Sequence, residues 1–275
     1  MKSNRYSLYK LNSETVSLFD SSQYSLLKFG HKKAISHFAD KLFHLIVDLH
    51  KSKSIDLNKC VILIGPYQFI DTASSLLTKQ TVDRLNDFTD HLGLVKKVES
   101  LKVDRKTTYF TDYAKMSKED RYNLIKNDSF YVDYNKLGDN DIIIIDDIRI
   151  SGTHEDIMFD LFQSDGFSKT VNFLFLAEID PDSFEPAIEH HLNSTVIATA
   201  HDLIPYLVED SLEFTTRGVK MIFSLPEVEF LTFLDQIPIS KYAELYHLAI
   251  GNEYDKVGIT ASNIAILNNK IYPKN

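Results

Sequence analysis

The chain has 275 residues, 44% of them hydrophobic and 25% charged; these are the proportions of a globular protein with a buried core, and the length excludes a string of many domains. Thirty Lys and Arg stand against 39 Asp and Glu, a formal net charge of −9, which excludes a surface that binds polyanions as a whole and makes nucleic acid an unexpected partner. Cys60 is the single cysteine, which excludes an internal disulfide and fits a reducing, cytoplasmic compartment. Neither an apolar leader nor a run of about 18 apolar residues occurs, so secretion and membrane spanning are not expected.

In chain order, a polar N-terminal segment precedes Ile35, Phe38, Leu42, Leu45, Ile46 and Leu49, whose spacing predicts an amphipathic helix over 32–50. Cys60 to Ile64 is a short apolar run closed by Gly65-Pro66, and a helical pattern follows over 72–85: strand, turn, helix. Residues 96–137 are polar and Tyr-rich, with weak β character at 107–110 and a short helical stretch at 117–125, and read as an excursion from the core. Ile142 to Ile145 then form an unbroken β-branched run, the mark of a parallel strand covered on both faces and paired with the strand at Val61. A helix over 154–163 follows. Strands at 171–176, 195–198 and 219–223 then alternate with helices at 184–192 and 203–207, which predicts an α/β fold with an open, mostly parallel sheet and helices on both faces. Helical patterns at 228–234 and 242–250 predict a C-terminal helical appendage, 226–275, beyond a main domain of 1–225.

The most informative stretch is Ile142-Ile143-Ile144-Ile145-Asp146-Asp147-Ile148-Arg149-Ile150-Ser151-Gly152-Thr153-His154-Glu155. A buried strand carries two carboxylates to its C-terminal end, and a Ser-Gly-Thr loop then opens a helix. Ligands of open α/β sheets bind at the carboxyl ends of the strands, and free N–H groups at a helix start hold phosphate. Gly152 lets backbone approach a phosphate, Ser151 and Thr153 can add hydroxyl contacts, and the carboxylates face sugar hydroxyls. No Walker or dinucleotide-binding glycine pattern is present at any strand end.

This stretch resembles the signature of type I phosphoribosyltransferases that binds phosphoribosyl pyrophosphate (PRPP): four apolar residues, two acidic residues and a Ser/Thr-Gly phosphate loop. The resemblance implies that Asp146 and Asp147 contact the ribose 2- and 3-hydroxyls and that Ile150, Ser151, Gly152, Thr153 and His154 surround the 5-phosphate. Two positions depart from the family pattern, Ile150 in place of a hydroxyl residue and His154 in place of Thr. Gly65, Pro66, Tyr67 and Gln68 look like the diphosphate loop of the orotate type of this family. Arg105 and Lys106, inside the 96–137 excursion, fall where that type carries a mobile catalytic hood that gives a cation to the leaving diphosphate. Lys28-Phe29-Gly30 resembles a Lys-Tyr/Phe-Gly element that precedes the core in the same enzymes.

The likeness extends in order of elements from Lys28 to Phe223. It implies a Mg2+-dependent transfer of ribose 5-phosphate from PRPP to a nitrogenous acceptor with release of diphosphate, with Arg105, Lys106 and Asp147 in catalysis. Mg2+ would be held by substrate oxygens, with Asp146 and Asp147 acting on it only through PRPP or water. A homodimer is implied too, and in that type the hood often acts across the dimer interface. The alternative is a non-catalytic PRPP or nucleotide sensor, or an effector held by an operon-encoded partner, since Asp-Asp-Ile-Arg-Ile-Ser-Gly-Thr-His-Glu is also similar to phosphoribosyltransferase-like proteins of bacterial stress, tellurium-resistance and defence operons.

Overall fold

The computed structural model describes residues 1–105, 130–184 and 188–273. Strands β1 (Lys2–Leu11), β2 (Cys60–Tyr67), β3 (Glu99–Arg105), β4 (Phe130–Tyr131), β5 (Asp141–Arg149) and β6 (Thr170–Ile179) make one sheet in the order β1-β6-β5-β2-β3-β4. Neighbours run parallel except β3 and β4. The isoleucine run lies at the centre, with Ile142 beside Val61 on one side and Val171 on the other.

Alternate residues of the central strands feed two cores. Ile62, Ile143, Ile145, Leu174 and Leu176 face one layer, whereas Val61, Leu63, Ile142, Ile144 and Phe173 face another that includes Met158 and Phe162. Both faces being covered explains why Ile142 to Ile145 of β5 are apolar without alternation. The first layer holds helices α1 (Ser21–Lys28), α2 (Lys32–Lys51) and α3 (Ala73–Asp87), and the second holds α4 (Thr153–Ser164). Apolar residues of α2 recur on one stripe, and Thr72 starts α3 with a reciprocal hydroxyl-to-amide cap shared with Ser75.

Several expectations are corrected. The polar N-terminal segment is the edge strand β1, and residues 99–105 of the supposed excursion are core strand β3. Residues 219–223 belong to helix α5 (Thr216–Phe223) instead of a strand, because Val219, Ile222 and Phe223 are buried at helical spacing. Residues 195–198 form no strand; Ile197, with the half-buried Val196, anchors them in the core. The expected local structure at 107–110 and 117–125 lies outside the described residues. Helices α6 (Glu227–Leu234), α7 (Ser240–Gly251) and α8 (Gly258–Ile271) follow α5. Phe230, Phe233, Leu245 and Leu267 are fully buried in the same core as Ile143 and Leu174.

Candidate active site

Asp146 and Asp147 stand where β5 has passed its last pair with β2 but still runs beside β6, and each carboxylate meets a basic side chain brought by a different element. Asp146 Oδ2 lies 2.8 Å from His154 Nδ1, in the first turn of α4. Asp147 Oδ2 accepts a hydrogen bond from Lys28 Nζ at the last turn of α1. The remaining oxygens turn back on the chain: Asp146 Oδ1 accepts the Asp147 N–H at 2.9 Å, and Asp147 Oδ1 accepts the Ile148 N–H at 2.7 Å. These local bonds hold the two carboxylates at fixed angles.

Burial opposes charge at His154 and at both carboxylates; the partner wins at His154 and Asp146, and burial wins at Asp147. At His154 burial is outweighed by the hydrogen bond and charge of Asp146, so its pKa is raised. At Asp146 burial is likewise outweighed by His154, and its pKa is lowered. Asp147 is 6% exposed; burial pushes it above the ordinary carboxylate value, with Lys28 opposing and Asp146 adding to the rise.

The loop after the pair turns at Gly152, whose φ of +75° lies in the left-handed region. A Cβ there would fall 2.4 Å from Arg149 Nη2, so glycine is required both by the turn and by the guanidinium beneath it. Arg149 is held by Glu155 at 2.6 Å and Glu178 at 3.4 Å, and Arg5 of β1 reaches the same two carboxylates at 2.9 and 3.2 Å. Ser151 Oγ and Thr153 Oγ1 lie 2.8 Å apart, so at least one hydroxyl is engaged within the loop. Ile150 packs against the main core.

One cavity of about 220 Å³ collects these groups. Asp146, Asp147 and Ile150 to His154 line it from β5, the turn after it and α4, Pro66 from the end of β2, Thr72 and Ser74 from the start of α3, and Arg105 from the end of β3. Arg105 sits with its Cζ 5.9 Å from the centre of the Phe130 ring, and its charge works against that of His154. Lys106 lies outside the described residues. Gly65, Tyr67, Gln68 and Lys28 do not line the cavity. Lys28 enters only through Asp147, and the Tyr67 ring lies between Lys79 and Lys102, 5.0 and 4.2 Å from its centre. Lys102 Nζ also donates to the Gln68 carbonyl at 2.8 Å. A Cβ on Gly65 would meet Ser74 Oγ at an ordinary 3.4 Å, so the protein itself makes no demand for glycine there.

Phe130, Ile148, Arg149, Glu155, Phe175 and Glu189 complete the lining; of these, Phe130, Phe175 and Glu189, like Thr72 and Ser74, carry no signal of a site in the sequence. Arg149 and Glu155 stand in the quoted stretch and pair with each other, but their other ion partners, Glu178 in β6 and Arg5 in β1, are 29 and 150 residues away. Among the described residues no group of three or more His, Cys, Asp and Glu could hold a metal ion, and no helix is long and apolar enough to cross a membrane.

Among solved structures, a hypoxanthine phosphoribosyltransferase from Staphylococcus aureus is similar at 13% identity, over 56% of this chain and 67% of that one, with a TM-score of 0.33. No curated protein matches the chain. Residues 2–267 match the family model of ComF-like phosphoribosyltransferases. That span takes in the edge strand, the acidic pair with its loop, and the C-terminal helices, and the chain therefore belongs to the ComF-like phosphoribosyltransferase family.

Proposed function

We propose that the protein transfers ribose 5-phosphate from PRPP to a nitrogenous acceptor and releases diphosphate. The observation that carries this reading is the shared cavity of Asp146, Asp147 and the left-handed Gly152 turn at the start of α4. In this reading the 5-phosphate lies on the backbone amides of 151–154. The two carboxylates accept hydrogen bonds from the ribose hydroxyls, which orients C1 toward the acceptor. Diphosphate lies toward Gly65 to Gln68, where Lys79 and Lys102 supply a positive field. The C1–O bond breaks with its electron pair leaving on diphosphate, and the acceptor nitrogen forms the new bond to C1. Arg105, with Lys106 from the adjoining hood, stabilises the charge that develops on the leaving group.

Mg2+ fits this site as an ion carried by the ligand. The described residues offer no cage of their own, and both carboxylates already meet a basic side chain, so substrate oxygens and water would hold the ion, with Asp146 and Asp147 acting through them. Bound there, it neutralises charge on the diphosphate.

The occupation of both carboxylates by His154 and Lys28 favours a second reading, a protein that binds PRPP without turning it over. One experiment separates the two. PRPP with Mg2+ at a hundredfold excess over Kd stabilises the native state by about 2.7 kcal/mol, read as a thermal shift, and the same samples are assayed for diphosphate release against purines, pyrimidines and nucleotides. A shift with release supports the transferase, and a shift without release supports the sensor. An unchanged melting temperature refutes both. Arg105→Ala should lower kcat with little change in PRPP affinity, because its contact strengthens as the bond breaks.

A further inference from the structure

The C-terminal helices reach the loop that follows β2. Asn252, 3% exposed at the end of α7, uses its side-chain carbonyl Oδ1 to accept the backbone N–H groups of both Phe69 and Ile70 at 3.1 Å. The Phe69 ring lies flat on the neighbouring Gly251, where an added Cβ would come within 2.3 Å of Phe69 Cδ1, and it meets His247 edge-on with centroids 5.2 Å apart. From α5, Thr216 Oγ1 donates to the Ile70 carbonyl at 2.9 Å, and the Thr216 N–H donates to the Asp71 carbonyl at 2.8 Å.

We propose that the C-terminal helices set the conformation of the diphosphate loop, with Asn252 as the positioning residue. This inference rests on the PRPP reading of the site. Between Ile64 and Tyr67 the register between β2 and β3 shifts, so the regular ladder does not dictate the path of Gly65 and Pro66, and past Tyr67, which pairs with Asp104, it dictates nothing of Gln68 to Ile70. A residue 183 positions away does so instead, by fixing the two amides at the loop's trailing end. Thr216 fixes the carbonyl side, and the glycine under Phe69 sets the height at which the ring can rest. A loop held in its bound shape before the ligand arrives binds more tightly, because less ordering remains to be done. The effect is confined to the part of the ligand that the loop touches, so it distinguishes PRPP and diphosphate from ribose 5-phosphate.

The test titrates the full-length protein with PRPP, inorganic diphosphate and ribose 5-phosphate, each with Mg2+, by calorimetry. Asn252→Ala should weaken PRPP and diphosphate about tenfold while ribose 5-phosphate stays within about twofold. Asn263→Ala is the matched control. Asn263 is equally buried in α8 and gives two hydrogen bonds to backbone, to the carbonyls of Phe223 and Leu225 at 3.0 and 2.7 Å, but none to the loop. It should leave the ratio of PRPP to ribose 5-phosphate affinity unchanged. Gly251→Ala and Phe69→Ala disturb the same clamp without removing a buried polar group and should reproduce the selective loss even if Asn252→Ala does not fold. Equal weakening of all three ligands, no change in the clamp variants, or the same selective loss in Asn263→Ala would overturn the inference. Failure of the wild-type protein to bind PRPP overturns the site reading first, and this inference with it.

Discussion

Replacing Lys28 by Met removes one member of an ion pair whose side chains are 14% and 8% exposed, on Lys28 and Asp147 respectively. Asp147 then remains beside Asp146 with no cation to offset its burial. Breaking such a pair from one side costs about 3–5 kcal/mol, against about 0–1 kcal/mol for an exposed pair. At roughly 2–4 °C per kcal/mol for a chain of this size class, the expected fall in Tm is about 6–20 °C. The pH dependence carries a definite sign. Asp147 already has a raised pKa, and Lys28 is the group that opposes the rise, so Lys28→Met raises it further. A carboxyl with a raised folded pKa costs stability above that pKa, and the cost disappears as pH falls toward the unfolded value of about 3.9. Urea denaturation at pH 7.5 and pH 5 should therefore show the gap between wild type and Lys28→Met narrowing on acidification. Adding Asp147→Asn to the variant should recover most of the loss at pH 7.5, since a neutral amide needs no counter-charge. The double variant also gives a cleaner test of ribose binding than Asp147→Asn alone, which would leave Lys28 buried without its partner. A loss below 1 kcal/mol at pH 7.5, or a gap that widens in acid, refutes the reasoning.

The His154–Asp146 pair should stabilise the fold within a pH window. The lowered pKa of Asp146 makes its contribution disappear as pH falls below the carboxylate range, and the raised pKa of His154 makes its contribution, full below about 6.5, disappear as pH rises through the folded value. Denaturation of wild type and His154→Gln between pH 5.5 and 9 should show a difference that shrinks toward alkaline pH, and NMR titration should find the His154 pKa lowered in Asp146→Asn. Gly152→Ala should lose about 1–2 kcal/mol from the left-handed backbone alone, and more because Arg149 is held by two glutamates and cannot yield; denaturation measures the loss, and calorimetry should show PRPP affinity falling with it. Phe233→Ala, at a fully buried site, should cost about 3–5 kcal/mol and should speed amide exchange at Ile143, since both belong to one core; unchanged exchange there would mean that the tail unfolds separately.

The legible parts of this chain were those whose signal is local. The isoleucine run, the acidic pair and the Ser-Gly-Thr turn are contiguous, and burial on both faces leaves no alternation to obscure the strand. Strands at or next to the sheet edges gave the opposite result. β1 reads Lys-Ser-Asn-Arg-Tyr-Ser-Leu-Tyr-Lys-Leu, with only Leu11 fully buried, and β3 buries only Val103, so both resemble polar loop. The run Val219 to Phe223 is apolar in either conformation over so few residues, and period alone does not separate helix from strand there. At the site, the sequence displays the carboxylates but not their partners. Lys28 was singled out for its likeness to a substrate-contacting element, whereas the structure places it on Asp147. His154 was noted as a departure from a family position, and its pairing with Asp146 depends on the left-handed turn at Gly152 that folds the loop back. Asn252 gave no signal, because a buried amide serving a distant backbone looks in sequence like any turn residue.

The pairing of β1 with β6 orders events during synthesis. Lys2 pairs with Thr170 and Leu11 with Ile179, so the first strand to emerge must wait for about 170 more residues before it has a place in the sheet, a closure of long sequence separation that is slow to form. Until then β1 is an unpaired strand, open to pairing with another chain. Arg5 travels with β1, and so the outer brace on Glu155 and Glu178 arrives only at that last step. The phosphate loop thus gains its full support only when β1 joins the sheet, which ties a competent site to a pairing of long sequence separation.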